Sequence, residues 1–286
     1  MDNGSYVRDR RRPGSDVRQI IFAFLVIKMR IQLLPSTIDE NGRASVRQHL
    51  LSIVIDDTVA IDAGSLAFSC SDKQRAQVRD IVLTHTHLDH IAGLPLFIDD
   101  LFATLDGPIR VHATREMIDI LERDIFNWSI YPRFSELSND HGRVVEYREF
   151  AKGSTFDVAH LSIKSVGVNH PVSANGYVVS DGKMSIAVTG DTAETDDFWK
   201  VCNQTPDLKA VMVECAFPDE LAELAAVSHH LTPKRLRTEL DKFTDSDCPV
   251  YVINLKPMYR DKVVGQLNDA GIPRVEILEV GRVYDW

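Results

Sequence analysis

The sequence has few cysteines, and none of them is spaced for a thiolate metal site. Its 286 residues contain four cysteines without a Cys-x-x-Cys pair. A thiolate zinc site is therefore not expected, and we interpret the thiols as reduced and mostly buried, as in a cytoplasmic protein. The four positions are Cys70, Cys202, Cys215 and Cys248.

The sequence also lacks an excess of basic residues. It has 42 Asp and Glu residues against 32 Lys and Arg residues, which gives a formal net charge of −10. A protein that grips a long polyphosphate backbone generally has the opposite balance, so long nucleic acids are poor candidate ligands. Small anionic ligands stay compatible with this charge, because a bound divalent cation reverses the local field.

No apolar run reaches the length of a membrane span. Residues 20–27 are apolar and follow several arginines, but they lead directly into Lys28-Met29-Arg30 without a small-x-small cleavage site. This predicts neither a signal peptide nor a membrane partner. We interpret residues 1–28 as an extension, either a segment of the protein or a stretch upstream of a true start at Met29. Residues 29–286 contain no Pro/Gly-rich linker and are interpreted as one domain.

The remaining pattern is that of a mixed α/β chain. Helical spacing of apolar residues predicts helices at 91–102, 117–126, 233–243 and 259–270. Short β-branched or apolar runs predict strands at 31–34, 51–55, 59–61, 81–83, 109–112, 162–168, 177–180, 185–189, 210–214 and 250–253. Such an order favours two sheets packed face to face with helices outside. The aromatic but aperiodic stretch 127–148 is predicted to be a long loop or lid.

Three imidazoles and one carboxylate follow the apolar strand at 80–83. The run reads His85-Thr86-His87-Leu88-Asp89-His90. At a strand end, His85 and His87 point the same way and can share one metal ion, while Asp89 and His90 reach a neighbouring position. Zinc, iron and manganese accept this mixture of ligands.

This His-x-His-x-Asp-His motif resembles that of the metallo-β-lactamase superfamily, and the resemblance covers residues 30–286. It implies an αββα sandwich. His170, which follows a strand, is similar to a later metal ligand of the family. Asp191, after a strand and a glycine, resembles the carboxylate that bridges two ions. Asp62 resembles a carboxylate that supports the metal loop without binding the ions, although an ordinary turn role stays open.

Two later segments narrow the resemblance. They read ECAFP at 214–218 and SHHLTP at 228–233, and together they resemble the class II 3′,5′-cyclic nucleotide phosphodiesterases. The resemblance implies hydrolysis of cAMP or cGMP by a metal-activated hydroxide. His230 is the candidate proton donor or phosphoryl stabiliser, and His229 is a weaker candidate for substrate binding. Thr232 and Pro233 are typical of an N-cap and a first helical residue.

The resemblance implies two divalent ions, with Zn²⁺ favoured and Mn²⁺ or Fe also suitable. The first ion would use His85, His87, His170 and Asp191. The second ion would use Asp89, His90, Asp191 and Asn254. Asp89 is also a candidate catalytic residue.

Asn254 departs from the family pattern, which has a final histidine in a His-Leu-Lys-Pro context. An amide oxygen is a weaker ligand for zinc-like ions than an imidazole. Three readings stay open: Asn254 coordinates, the second position is filled loosely, or His229 or a water substitutes. Lys256 of the same segment either contacts a substrate phosphate or lies in a solvated turn.

Several functions compete with hydrolysis of a cyclic nucleotide. A ribonuclease Z-like endonuclease shares the motif, but the acidic charge and the lack of a basic, Gly-rich arm disfavour it. A metal-binding protein that lost turnover through Asn254 is a second alternative, and hydrolysis of a lactone, thioester or sulfate ester is a third. The expected partner is a small-molecule substrate, and a homodimer is left open. The remaining partnerless histidines are interpreted as ordinary: His49, His112, His141 and His160.

Overall fold

The computed structural model describes Met1 and residues 28–286. The predicted extension therefore lies almost wholly outside the described residues, and its boundary at Met29 stays a prediction. The strands are β1 Arg30–Leu33, β2 Ile53–Ile55, β3 Val59–Ile61, β4 Asp80–Val82, β5 Ile109–Ala113, β6 Ser138–Asn139, β7 Gly142–Arg143, β8 Val145–Glu149, β9 Thr155–Val158, β10 Leu161–Gly167, β11 Asn175–Ser180, β12 Ser185–Val188, β13 Leu208–Glu214, β14 Val250–Ile253, β15 Val275–Ile277 and β16 Val283–Asp285.

The α-helices are short, and most follow a strand. They are α1 Leu66–Ser69, α2 Asp72–Gln77, α3 Leu88–Ile91, α4 Leu94–Leu101, α5 Arg115–Ile120, α6 Asp196–Gln204, α7 Ala222–Val227, α8 Pro233–Leu240 and α9 Arg260–Ala270. A π-helical turn covers Leu121–Ile125, and two 3₁₀ turns cover Phe134–Glu136 and Asp219–Leu221. None of the described helices is long and apolar enough to cross a membrane.

Two seven-stranded mixed sheets form the centre of the fold. Their orders are β16-β1-β2-β3-β4-β5-β8 and β15-β14-β13-β12-β11-β10-β9. In each sheet a run of antiparallel strands changes to parallel pairing, at β3/β4 in the first and at β12/β13 in the second. The two sheets therefore have a similar pairing pattern, although the sequence has no repeat of fixed period and the C-terminal strand β16 joins the first sheet.

Alternating side chains show that each sheet is covered on both faces. In β13, Ala210 and Met212 pack into the core between the two sheets, whereas Val211 and Val213 face the helices α6, α8 and α9. Val82 of β4 likewise enters the inter-sheet core. Because strand side chains alternate between faces, doubly covered strands read as continuous apolar runs. The predicted αββα sandwich is confirmed.

Several predicted elements have different limits in the structure. The helix predicted at 91–102 is α4, which begins at Leu94 and is separated by Ala92 and Gly93 from the short helix α3. A Cβ at Gly93 would lie 2.6 Å from the Ala63 carbonyl oxygen, so the chain passes too close to a neighbour for a larger residue. Helix α6 was not predicted, although its Phe198 and Trp199 are buried.

The predicted lid at 127–148 is more structured than the sequence suggested. Phe134 is buried and packs against Phe126 and Tyr131, and β8 begins at Val145 as the edge strand of the first sheet. An edge strand needs only one apolar face, so β8 can contain several charged residues. These charged residues made the strand difficult to predict from the sequence. Phe134 is therefore a core anchor, whereas Trp128 of the same stretch is exposed.

One close backbone contact holds the histidine-rich loop against the first sheet. A Cβ at Gly64 would lie 1.9 Å from the Asp89 carbonyl oxygen and 2.8 Å from the Leu51 backbone. The same Asp89 oxygen accepts a hydrogen bond from the Leu51 N–H at 2.8 Å. Only glycine leaves room for this contact.

We predict that Gly64→Ala destabilises the fold by about 2 kcal/mol or more, because backbone atoms must move to admit the methyl group. Gly265→Ala is a matched control, since Gly265 lies in α9 with nothing within 4 Å of the added Cβ. We expect that control to raise stability by up to about 1 kcal/mol. Urea unfolding of both variants checks this, and a Gly64→Ala protein as stable as the wild type contradicts it.

Candidate metal centre

The candidate site residues follow strands whose carboxyl ends meet at one edge of the two sheets. In the first sheet Asp62 follows β3 and His85 comes shortly after β4. In the second sheet Asp191 follows β12, Glu214 ends β13 and Asn254 follows β14. These strands are parallel within each sheet, so their carboxyl ends lie side by side. Polar side chains distant in sequence are thereby collected at this edge.

Three histidines form one cluster. One ligand atom from each of His85, His87 and His170 lies within 4.8 Å of the others. His87 Nδ1 and His170 Nε2 are 3.1 Å apart, which joins the two sheets across the site. Imidazole nitrogens this close are typical of ligands that converge on one metal ion.

A second group adjoins the first. His85, His90 and Asp191 also place ligand atoms within 4.8 Å of one another. His90 Nε2 lies 3.3 Å from Asp191 Oδ1, and the Asp191 side chain is 2% exposed. His85 belongs to both groups, so the two clusters form one continuous centre.

The nitrogens of this centre suit a divalent ion. Among the described residues, His85 Nε2 and His90 Nε2 are buried without a hydrogen-bond partner. An unpartnered buried nitrogen is costly, and a bound ion removes the cost. Burial lowers the pKa of His85 well below its ordinary value and that of His170 to about 4. Both rings are then neutral at pH 7, which is the form that binds metals.

The Asp62 carboxylate orients this loop from behind. It is fully buried, and it accepts hydrogen bonds from the Thr84 backbone N–H at 2.8 Å and the Thr84 hydroxyl at 2.7 Å. His90 Nδ1 lies 2.6 Å from the same carboxylate. When Nδ1 donates to Asp62, Nε2 of His90 stays free to bind an ion. The geometry supports the predicted supporting role of Asp62.

A second carboxylate–histidine pair flanks the cluster. His230 Nδ1 lies 2.7 Å from Glu214 Oε1. The Glu214 carboxylate is fully buried, and it also accepts hydrogen bonds from the backbone N–H groups of Thr192 and Ala216. Burial, the largest single effect, lowers the pKa of His230, but the charge and hydrogen bond of Glu214 together with the Asp191 charge raise that pKa above its ordinary value. His230 Nδ1 is 4.0 Å from Asp191 Oδ2, so this ring adjoins the metal-binding centre.

Asp89 and Asn254 have partners other than the predicted ones. Lys256 Nζ donates to Asp89 Oδ2 at 3.1 Å, and Asn254 Nδ2 donates to Asp191 Oδ1 at 2.5 Å. Asp89 Oδ2 lies 4.0 Å from His90 Nε2, and Asp89 belongs to neither three-residue group. The residues predicted to bind the second ion therefore lie close together. Each of the two carboxylates in this set, however, already accepts a hydrogen bond from a protein nitrogen.

His229 contributes its backbone more directly than its ring. Its carbonyl oxygen lies 3.3 Å from His170 Nδ1, so it is placed to accept a hydrogen bond that orients His170. Its ring Nδ1 is 2.8 Å from the Asn169 side chain at the surface. Residue 229 has a φ of 54°, a left-handed conformation that histidine adopts more readily than bulky or β-branched residues.

The other histidines lie outside the described metal centre, although two have acidic partners. His112 Nε2 is 2.8 Å from Asp80, which also binds Arg110. Burial raises the pKa of Asp80, but Arg110 and His112 outweigh it and lower that pKa to about 2. His160 Nε2 lies 2.7 Å from Asp56. These contacts explain both rings as structural.

Sequence reasoning assigned no role to Glu214 or Thr84, although both orient site residues. A signal for Glu214 was available, because it ends an apolar strand at the same kind of position as Asp191. Thr84 had a weaker signal, since its hydroxyl role depends on Asp62, which lies 22 residues earlier. The capping prediction was half right: α8 begins at Pro233, but the Thr232 side chain makes no capping hydrogen bond.

Comparison with known proteins identifies the family. A family model described as a beta-lactamase superfamily domain matches residues 54–242, well over half of the chain. The chain belongs to the beta-lactamase superfamily. A superfamily relative in Yersinia pestis, named a probable 3′,5′-cyclic-nucleotide phosphodiesterase, is 25% identical over 233 residues. The match covers 69% of this chain and 65% of that protein, so the chain spans just under two thirds of it.

Solved structures agree with this fold. Unliganded yeast PDE1 aligns with a TM-score of 0.73 at 16% identity, covering 91% of this chain and all of that one. The metallo-β-lactamase fold protein YhfI from Bacillus subtilis gives 0.68 at 15% identity, covering 90% and 99%. The short form of human tRNase Z gives 0.60 at 16% identity, covering 89% and 98%. Identities this low establish the metallo-β-lactamase fold alone.

We predict that Asp62→Asn weakens metal binding about 10- to 100-fold, because an amide cannot accept from both Thr84 and His90 as a carboxylate does. The backbone should tolerate the change, since asparagine also adopts the positive φ of 58° found at this position. Asp207→Asn is the matched control, an exposed aspartate with a φ of 53°. Zn²⁺ titration against a competing chelator measures the effect, and equal affinities for the two variants contradict the prediction.

Proposed function

We propose that this protein is a metal-dependent phosphodiesterase that hydrolyses a small 3′,5′-cyclic nucleotide such as cAMP or cGMP. The observation that carries the proposal is the imidazole and carboxylate cluster beside the His230–Glu214 pair. The comparisons support a hydrolase of the metallo-β-lactamase fold. The name of the Yersinia pestis relative supports the choice of substrate.

The first ligand set would hold a divalent ion through His85, His87, His170 and Asp191. Neutral imidazoles with one carboxylate fit Zn²⁺ best, and Mn²⁺ or Fe also accept them. An ion bound here would lower the pKa of water, so that hydroxide could attack phosphorus near neutral pH. It would also neutralise charge on the phosphoryl oxygens. The chain holds these ligands in place through Asp62 and the His229 carbonyl.

The reaction adds one water across one ester bond of the cyclic phosphate. The water oxygen forms a bond to phosphorus, the bond from phosphorus to a ribose oxygen breaks, and that oxygen must receive a proton. We propose that His230 donates this proton. Glu214 holds Nδ1 of this ring, which leaves Nε2 as the nitrogen that donates. The charge of Glu214 favours the protonated ring, so the donor is loaded before the bond breaks.

The charge of the chain favours a small substrate over a long one. A net charge of −10 repels a polyanion, whereas a cyclic nucleotide carries a single phosphodiester that the metal centre can neutralise. We therefore place cyclic nucleotides ahead of RNA. Zn²⁺ as the native ion and a cytoplasmic location belong to the same proposal, the latter supported by four free cysteines. A homodimer stays a prediction.

We expect purified protein supplied with Zn²⁺ or Mn²⁺ to hydrolyse cAMP or cGMP. His87→Ala should abolish this turnover, while His141→Ala, which changes an exposed histidine, should not. The assay compares both nucleotides with bis(p-nitrophenyl) phosphate, a lactone and a precursor tRNA. Cleavage of the tRNA or the lactone alone would replace the proposed substrate class, and no phosphodiester cleavage with any ion would reject the proposal.

We predict that His230→Gln lowers kcat for the cyclic nucleotide about 100- to 10,000-fold without loss of bound metal. Bis(p-nitrophenyl) phosphate should be affected far less, because its nitrophenolate leaves without a proton. Glu214→Gln should give part of the loss, and the double variant should be no worse than His230→Gln alone, since the two act as one unit. Equal losses on both substrates would show that His230 is not the proton donor.

A further inference from the structure

Two protein donors already contact the carboxylates expected to bind a second ion. Lys256 Nζ lies 3.1 Å from Asp89 Oδ2, and both side chains are less than one third exposed. Asn254 Nδ2 lies 2.5 Å from Asp191 Oδ1, and Asn254 is 7% exposed. Each acidic ligand of the second set is therefore paired with a nitrogen of the segment that follows β14.

Neither nitrogen is a metal ligand. An amide nitrogen and an ammonium group are donors without a lone pair available for an ion. The centre thus divides into a part rich in acceptor nitrogens, around His85 and His170, and a part rich in donors, around Asn254 and Lys256. The second set has a single imidazole, His90, beside carboxylates that already accept from Asn254 and Lys256, so only the first, with three imidazoles, has the composition of a tight transition-metal site.

The donor segment is held firmly in position. Asn254 takes a left-handed backbone conformation with a φ of 53°, which asparagine tolerates. Leu255 is buried in the core between the second sheet and its helices. The residue between the two donors is thus an anchor, and Pro257 restricts the backbone after Lys256. The backbone of Lys256 is consequently anchored at the edge of the centre, and its ammonium group contacts Asp89.

We infer that the centre binds one divalent ion tightly and that Lys256, which is paired with Asp89, supplies the second positive charge to the phosphoryl group. This inference rests on the proposed function for its substrate and on the donor contacts for its metal content. An ammonium group is a compact point charge that binds phosphate well. A phosphodiester entering between the ion and Lys256 would meet a cation on each side.

Metal content tests this inference independently of turnover. Apo-protein is titrated with Zn²⁺ against a chromophoric chelator, and bound zinc is then counted by mass spectrometry. We expect one tightly bound ion in the wild type, in Lys256→Arg and in the control Lys262→Gln. The control removes a half-exposed ammonium on α9, which is paired with Glu220. The double variant Asn254→His/Lys256→Gln should bind two, because it gains an imidazole and releases Asp89.

Two results would overturn the inference. One is a wild-type protein that binds two ions with affinities within about tenfold of each other. The other is a folded double variant that still binds one ion. Circular dichroism and retention of the first ion show that the double variant is folded, and Asn254→His alone provides a second, milder test in the same titration.

Turnover then separates the role of Lys256 from the proposed substrate. Lys256→Gln should lower kcat at least about 100-fold with its single ion retained, and Lys256→Arg should keep much more activity, because the charge remains. Equal kcat in Lys256→Gln and wild type overturns the catalytic part. If the wild type hydrolyses no cyclic nucleotide, the proposed function fails, whereas the zinc count still decides how many ions the centre holds.

Discussion

The burial of charged and polar side chains at one edge of the two sheets is the constraint on which the centre depends. Asp62 and Glu214 are fully buried, and an isolated buried carboxylate is costly. Asp62 is compensated by the N–H and hydroxyl of Thr84 and by His90. Glu214 is compensated by backbone N–H groups and by His230. The same contacts that make burial tolerable also fix the rings, so stability and function depend on one set of hydrogen bonds.

This arrangement joins the two halves of the fold. The first sheet supplies the histidine loop, and the second supplies His170, Asp191 and Glu214. The contact between His87 and His170 crosses from one half to the other, and the Asn175 N–H donates to the Thr84 carbonyl beside it. A site shared in this way requires both sheets to be packed correctly, because neither half carries a complete ligand set.

Much of the fold could be predicted from the sequence, because a strand that is covered on both faces is a continuous run of apolar residues. Predictions at 59–61 and 250–253 match β3 and β14. Polar edge strands such as β8 and the break at Gly93 could not be found, since they depend on which neighbour covers a face or approaches the backbone. The stretch containing Phe134 was read as a lid because its aromatic spacing fits no regular element.

The sequence by itself determined the residue types and order of the metal motif, and with them the family and the kind of ion the centre can hold. Local spacing suffices there, since His85 to His90 lie within a few residues in the loop after β4 and in α3. Only the tertiary structure decided that Glu214 holds His230, that Lys256 pairs with Asp89 and that Asn254 donates to Asp191. Those pairs are separated by 16, 167 and 63 residues. Packing of the two sheets, which no local pattern encodes, sets their distances.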